Sequence, residues 1–285
     1  MIVLGAGGFI GGHLVKHLKL EGNKVLGIDI KLPLYEKSYA DKFVIGDLRD
    51  LSFARNLIFD DCDELYQFAA DMGGAGYVFS GHHDAEILTN SALINLNVDK
   101  VCAEKKVKKV FFASSAYVYP EFNQTDPFNP ICTKSTAYPA MPDSNYGWEK
   151  LYAERLFQSY SKNFGLDLKI ARLHNVYGIH CDYENGREKA PAAICRKISK
   201  LKSGHSIEIL GNGSQTRTFL QIKDCIDVIL LLMRSEYNGS YNIGSEELIS
   251  INKLVNLISV IAKKEVCIDS IDGHVGVKGE CLITH

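Results

Sequence analysis

The chain opens on an apolar run, "MIVL", followed by a glycine-rich turn, "GAGGFIGG", then "HLVKHLKLEG" and a second apolar run, "KVLGIDI". In the third segment apolar residues return every three or four positions, the spacing of one helix face, whereas short apolar runs between turn residues suit buried strands. This stretch therefore predicts strand, turn, helix ending near Gly22, and strand, a complete βαβ unit. Met1 to Leu4 make a short first strand, so the natural start is expected slightly upstream. Further strands are predicted at "KFVIGD", "ELYQFAA", "KVFFASSA" and "LKIARLHNVYG", separated by helical stretches "ARNLIF", "SALINLNVDKVCAEK" and "WEKLYAERLFQSYSKNFG". Strand and helix alternate, which predicts an α/β fold with a doubly wound parallel sheet. Beyond Gly178 the alternation loosens into a polar loop, a helix opened by Pro191, short strands around "IEIL" and "YNIG", and a helix over "INKLVNLISVIAKK". The expected organisation is a large domain over residues 1–177 and a smaller, lid-like one over 178–285, with segments returning to the first.

Composition narrows the partners. A length of 285 residues and an apolar fraction of 46% allow a sizeable core, and a net charge of -2 gives no basic footprint for nucleic acid or anionic membrane. The longest apolar runs, such as "VILLLM", fall far short of the roughly 20 residues of a membrane helix. No charged segment precedes the first apolar stretch, so a soluble, unexported, cytoplasmic protein is expected. The eight cysteines are scattered singly, which predicts free thiols in a reducing compartment.

Gly5, Gly8 and Gly11 lie between strand and helix. Glycines there let backbone turn tightly and approach a pyrophosphate, which sits on amides at the helix N-terminus, here those of Phe9 and Ile10. Asp29 ends the second strand where an acid takes ribose hydroxyls, and its charge favours NAD over NADP. Asp47 and Leu48 close the next strand and suit the adenine edge, and Ala69 closes the one after. The plainer alternative is a tight turn and a solvated strand end.

"SNYGWEKLYAE" places Tyr146 and Lys150 four apart on one helix face. A cation near a phenol favours the phenolate, lowering its pKa toward use as a base. Ser115, ending an earlier strand, can hydrogen-bond the same substrate hydroxyl. His174, His180 and Cys181 are close in sequence but lack paired ligand spacing, so no metal is expected. His82 and His83 are read as loop residues beside the substrate.

With "GAGGFIG", "IGDLRD", "ASSAYVY", "YGWEK" and "RLHNVYG", the chain resembles the extended short-chain dehydrogenase/reductase family, the NAD-dependent epimerases and dehydratases of nucleotide sugars. Its "AADMGGAGYV", "NGREKAPAAICRK", "GNGSQTRTF" and "YNIGSEELISIN" are most similar to the branch that epimerises GDP-linked hexoses. The resemblance implies a Rossmann domain, NAD, and a nucleotide-sugar substrate oxidised transiently at carbon 4, inverted beside the ketone and reduced back. The expected partners are that GDP-linked sugar and a second copy of the chain. It further implies that Lys189 of "REKAP" is an acid or base of the inversion, unless it is one charge of a solvated cluster. Asn175 and Arg217 match positions holding the diphosphate, although Arg217 could instead pair with Asp224. Gly74, within "MGGAG", would let backbone lie against the sugar, or belong to a flexible loop.

The chain departs from that branch in three ways. The family continues past the position of His285, so the substrate domain is expected to be incomplete, and Lys278 and Glu280 stand where the branch has arginines. Tyr117 stands where the branch has a catalytic cysteine and the sugar-nucleotide dehydratases a glutamate. Read as a strand tip two beyond Ser115, Tyr117 faces the sugar, either as an acid opposite Lys189 or as a steric wall. The competing functions are a carbon-4 epimerase, dehydrogenase or dehydratase using Ser115, Tyr146 and Lys150 alone, and a non-catalytic NAD-binding protein.

Overall fold

The computed structural model describes residues 1–184, 186–272 and 276–279. In chain order the strands are β1 (Ile2–Leu4), β2 (Leu26–Asp29), β3 (Lys42–Ile45), β4 (Glu64–Gln67), β5 (Lys109–Ser115), β6 (Asp167–Leu173), β7 (Asn175–Tyr177), β8 (His205–Leu210), β9 (Thr216–Gln221), β10 (Gly239–Ile243), β11 (Leu248–Ser250) and β12 (Val266–Ile271). The helices are α1 (Phe9–Leu20), α2 (Leu51–Leu57), α3 (Ala75–Val78), α4 (Asp84–Glu104), α5 (Asn145–Phe164), α6 (Ala190–Lys200), α7 (Ile222–Arg234) and α8 (Ile251–Ala262).

Among the described residues the main sheet runs β10-β6-β5-β4-β1-β2-β3, with every pairing parallel. Strand order reverses between β1 and β4, and the crevice outside the strand ends at such a switch point is where ligands bind. The two faces of the sheet carry separate cores. Val3, Tyr66 and Phe111 meet α1 and α7 on one side, while Ile2, Leu65 and Phe112 meet α2, α4 and α5 on the other. A third core, of Ile194, Ile198, Ile207, Ile209, Leu254 and Val255, joins α6, β8 and α8.

The residues beyond 178 divide between these bodies. Strand β10, anticipated at "YNIG" among the short later strands, pairs with β6 in the main sheet, and α7 packs in its core. The run "LKIARLHNVYG", expected as one strand, breaks at His174: β6 stays in the main sheet and β7 pairs with β9 in a second, three-stranded sheet. The His174 amide still donates to Ile243 O at 3.0 Å, so the chain leaves the main sheet one residue later. Apolar and polar residues stay interleaved through both strands, so periodicity could not mark the transfer.

A buried ion pair fixes α5 to the sheet. Arg172 on β6 forks onto Glu154 of α5, with Nε to Oε1 at 2.9 Å and Nη2 to Oε2 at 2.8 Å. Ser114 and Ser240 donate to the same carboxylate at 2.6 and 3.0 Å, so β5, β6 and β10 all meet it. Removing one partner of such a pair typically costs about 3–5 kcal/mol.

Asp99 on α4 is the opposite case. It is fully buried, and neither carboxylate oxygen has a partner among the described residues. Burial pushes its pKa up to about 9, so the native state keeps it protonated while the unfolded chain ionises near the ordinary 3.8. Stability is therefore fully present below the unfolded value and is lost as pH rises toward about 9. Asp99→Leu is expected to raise the melting temperature, by more at pH 8 than at pH 5, with a gain of roughly a few kcal/mol. Thermal melts of both proteins at the two pH values check this, and a gain independent of pH would assign the effect to packing.

The thiol expectation needs one correction. Cys62, Cys102, Cys181, Cys195, Cys225 and Cys267 are free, but Cys132 is disulfide-bonded. Single spacing along a sequence carries no information on which cysteines the fold brings within bonding distance. Among the described residues no helix is long and apolar enough to cross a membrane.

Candidate active site

The glycine turn follows β1 at the switch point. Gly5 takes φ +79, and a Cβ there would meet Ala69 N at 2.8 Å; one on Gly11 would collide with the Gly5 carbonyl. These two positions admit no side chain, so strand, turn and helix close up as a cradle. Gly8 caps α1 without any side-chain hydrogen bond, so no side chain of the cap takes up the first-turn amides, those of Phe9 and Ile10 included. Asp29 at the end of β2 accepts from Gly7 N at 2.8 Å, bracing the glycine turn with one oxygen, and from Lys31 N at 3.1 Å with the other. Asp47 is gripped by Arg49 through Nε and Nη2, at 2.9 and 2.6 Å, and Leu48 is buried beside it. At the end of β4 the Gln67 amide accepts from Ala69 N and donates to Ala69 O, each at 3.0 Å.

Across the crevice, Tyr146, Ser115 and Tyr117 meet. Tyr146 lies in the first turn of α5, which Ser144 caps by accepting from Gly147 N at 3.2 Å. Its phenol is close enough to Ser115 for that side chain to favour the phenolate. Strand β5 stops at Ser115 because that side chain accepts from Tyr117 N at 3.3 Å and turns residues Ala116–Val118 into a 3-10 helix. Tyr117 is therefore not on a strand, and pleat alternation is not what orients it. Its ring nonetheless meets Tyr146 edge-on, with centroids 5.5 Å apart, and Phe79 at 6.0 Å. Gly147 makes room for it: a Cβ there would collide with the Tyr117 carbonyl.

Lys150 is fully buried one turn on, donating to Ala113 O at 3.0 Å, with its ammonium 5.7 Å from the Tyr146 ring centroid. The expected lowering of the phenol does not hold for the protein alone. Burial, then the charge of Glu149, pushes Tyr146 above the ordinary tyrosine range, with Ser115 opposing. Burial also pushes Lys150 down, against the charges of Glu149 and Glu154. Glu149 belongs to a buried chain that sequence patterns did not reveal. Gln67 donates to Asn95 Oδ1 at 2.9 Å, and Asn95 to Glu149 Oε1 at 2.8 Å, linking the cofactor-side strand β4 to the helix of Tyr146 and Lys150.

Lys189 is the N-cap of α6, which Pro191 opens as expected. Burial, then the nearby Lys189 charge, pushes His174 down to about 4. Burial pushes the Cys225 thiol up to about 12, and Lys189 opposes. The Lys189 charge is thus felt both by His174, just past β6, and by Cys225 in α7. The segment docks on Gly74, whose amide donates to Arg187 O at 2.9 Å and where a Cβ would collide with the Glu188 carbonyl. Parallel pairing sets Asn175 opposite Phe219, so Asn175 and Arg217 sit on adjacent strands of the second sheet. Asn175 Nδ2 reaches Thr218 O at 3.4 Å, and Arg217 Nη1 donates to the carbonyls of Thr216 and Val277 at 2.8 and 2.9 Å. Lys278 offers its carbonyl to Thr216 N at 2.9 Å; Glu280 lies outside the described residues. His180 stacks between His13 and Tyr35, with centroids 5.8 Å from each, and His83 stacks on Tyr77 at 4.3 Å. Among the described residues no group of three or more His, Cys, Asp or Glu gathers to hold a metal.

The model of the NAD dependent epimerase/dehydratase family matches residues 1–244. The chain belongs to this family. It is 38% identical over 279 residues to the GDP-mannose 3,5-epimerase of Arabidopsis thaliana, covering 97% of this chain and 73% of that protein. Among solved structures it is similar to the UDP-N-acetylglucosamine 4-epimerase of Methanobrevibacter ruminantium in complex with UDP-N-acetylmuramic acid. That match has a TM-score of 0.82 and 26% identity, over 99% of this chain and 88% of the other. MoeE5 in complex with UDP-glucuronic acid and NAD matches with a TM-score of 0.80 and 27% identity, over 98% of this chain and 87% of the other. Membership makes NAD the cofactor of this epimerase/dehydratase, and the glycine cradle and uncapped α1 suit its pyrophosphate.

Proposed function

We propose that this NAD-dependent nucleotide-sugar epimerase acts on a GDP-linked hexose in the 3,5 manner, through a ketone at carbon 4. The observation that carries the reading is the meeting of Ser115, Tyr146 and Tyr117 at the end of β5, with the Lys189 segment docked on Gly74 nearby. Tyr146 takes the proton of the carbon-4 hydroxyl, and Ser115 holds that oxygen in line. Bound NAD would accept the hydride from carbon 4 and give it back after inversion, as Tyr146 returns its proton, and in its oxidised form would supply a positive charge that favours the phenolate. Lys150 orients the pair from the Ala113 carbonyl. Beside the ketone, the Lys189 amine takes the proton of the neighbouring carbon as the C–H electron pair moves toward the carbonyl. Tyr117 returns a proton on the other face. Asn175 and Arg217 hold the diphosphate, and Gly74 brings backbone to the sugar. The exposed apolar side chains Leu93 and Leu96 of α4 and Trp148 and Tyr152 of α5 suit burial against a second copy, so the proposed assembly is a homodimer.

The test is incubation with GDP-, UDP- and dTDP-hexoses in deuterated water, with exchanged positions located by NMR. Deuterium beside carbon 4 of a GDP-hexose is expected. Inversion at carbon 4 without exchange would replace this reading by a carbon-4 epimerase, in which Tyr117 is a wall.

A further inference from the structure

Three consecutive residues precede α6, and two of them are tied down in different directions. Arg187 donates from Nη1 to Asp71 Oδ1 at 2.9 Å and to Met72 O at 3.0 Å, and from Nη2 to the Tyr77 hydroxyl at 2.8 Å. Its guanidinium lies 4.0 Å from the Tyr77 ring centroid, and the Tyr77 hydroxyl donates to Asp71 Oδ1 at 3.0 Å. Asp71 is held in turn, taking Asn90 Nδ2 on its other oxygen at 2.8 Å and giving its amide to Ser91 Oγ at 3.0 Å. Burial would raise its carboxyl, but the bonds from Asn90, Tyr77 and Arg187 prevail and keep it below the usual range. Glu188 turns the other way, to Arg196 Nη2 at 2.8 Å within α6. Lys189, between that clamp and the helix, is the residue whose charge reaches His174 and Cys225.

We propose that Arg187, forked between Asp71, the Met72 carbonyl and the Tyr77 hydroxyl, is a positioning residue that sets Lys189 for proton transfer beside the ketone. The inference rests on the reading of Lys189 given under the proposed function. The clamp joins the loop 71–77, which carries Gly74, to the segment 187–189, so the sugar-facing backbone and the amine move as one body. A planar fork with three acceptors fixes direction as well as distance, which a point charge does not. Loss of such positioning is costly because a misplacement of about 1 Å can lower a rate by roughly 10²-fold.

The experiment compares wild type with Arg187→Gln, Asp71→Asn and Arg187→Lys, the last keeping the charge and stem so that a folding defect of the first does not decide the outcome. Two reactions are followed with the GDP-hexose: reduction of bound NAD by absorbance, and deuterium entry beside carbon 4 by NMR. Reduction is expected within about twofold of wild type, and deuterium entry down by about 10²-fold in all three variants. The double variant Arg187→Gln/Asp71→Asn is expected to be no worse than either single one, since both break one unit. Equal loss of both reactions marks the clamp as merely structural and overturns the proposal, as does unchanged deuterium entry. Amide hydrogen exchange supplies a readout without substrate: Arg187→Gln is expected to speed exchange in 71–78 and 187–192 together, and unchanged exchange overturns the clamp. Wild type that neither reduces NAD nor exchanges hydrogen with any sugar nucleotide refutes the proposed function instead, while the amide result still decides the clamp.

Discussion

Tyr146→Phe is expected to slow reduction of bound NAD by substrate by about 10²–10⁴-fold, the usual worth of a positioned general base. Affinity for NAD should stay within a fewfold. The substitution keeps the ring that Tyr117 meets edge-on at 5.5 Å and leaves Lys150 on the Ala113 carbonyl, so the pocket retains its shape. What goes is the hydroxyl, whose phenolate Ser115 favours. Because burial holds this phenol above its ordinary range, its base form is scarce near neutrality, and the wild-type rate should climb with pH as the phenolate fraction grows. Single-turnover absorbance of the reduced cofactor across pH 6 to 10 reads both effects. A variant that reduces NAD at the wild-type rate would assign the base to another group.

Local signals carried the cofactor half of this site. Strand, glycine turn, helix and Asp29 lie within the first thirty residues, so residue type and spacing sufficed for the cradle that the fold forms. Helix spacing singled out Tyr146 and Lys150 and a strand end Ser115, whereas Lys189, Asn175 and Arg217 rested on family motifs, because they lie on later elements, at α6, β7 and β9. Contacts between residues of unremarkable local context stayed hidden. Gln67 and Asn95 are 28 positions apart, Asn95 and Glu149 54, and Arg187 and Asp71 116, and nothing in the pattern around any of them announces a partner. Asp99 was equally silent, since a polar residue in an amphipathic helix is ordinarily assigned to its wet face. Tyr117 shows a different limit. Its place beside Tyr146 follows from a serine that ends the strand and starts a 3-10 turn, a side-chain event that pleat counting cannot foresee.

The last expectation concerns that tyrosine. Tyr117→Phe keeps the ring against Phe79 and Tyr146 and leaves the amide that Ser115 accepts, so it removes a proton source and little else. Inversion beside the ketone is expected to fall by about 10²-fold or more, with reduction of bound NAD nearly unchanged. Deuterium should still enter the sugar, because Lys189 continues to remove and return a proton on its own face, now with retention of configuration. Retention with exchange distinguishes a lost acid from a lost base, since Lys189→Met should abolish exchange altogether. Tyr117→Cys, which puts a shorter proton donor at this position, should restore part of the inversion that Tyr117→Phe loses. Inversion at the wild-type rate in Tyr117→Phe would instead make the ring a wall that shapes the sugar pocket, with a proton donor other than Tyr117 opposite Lys189.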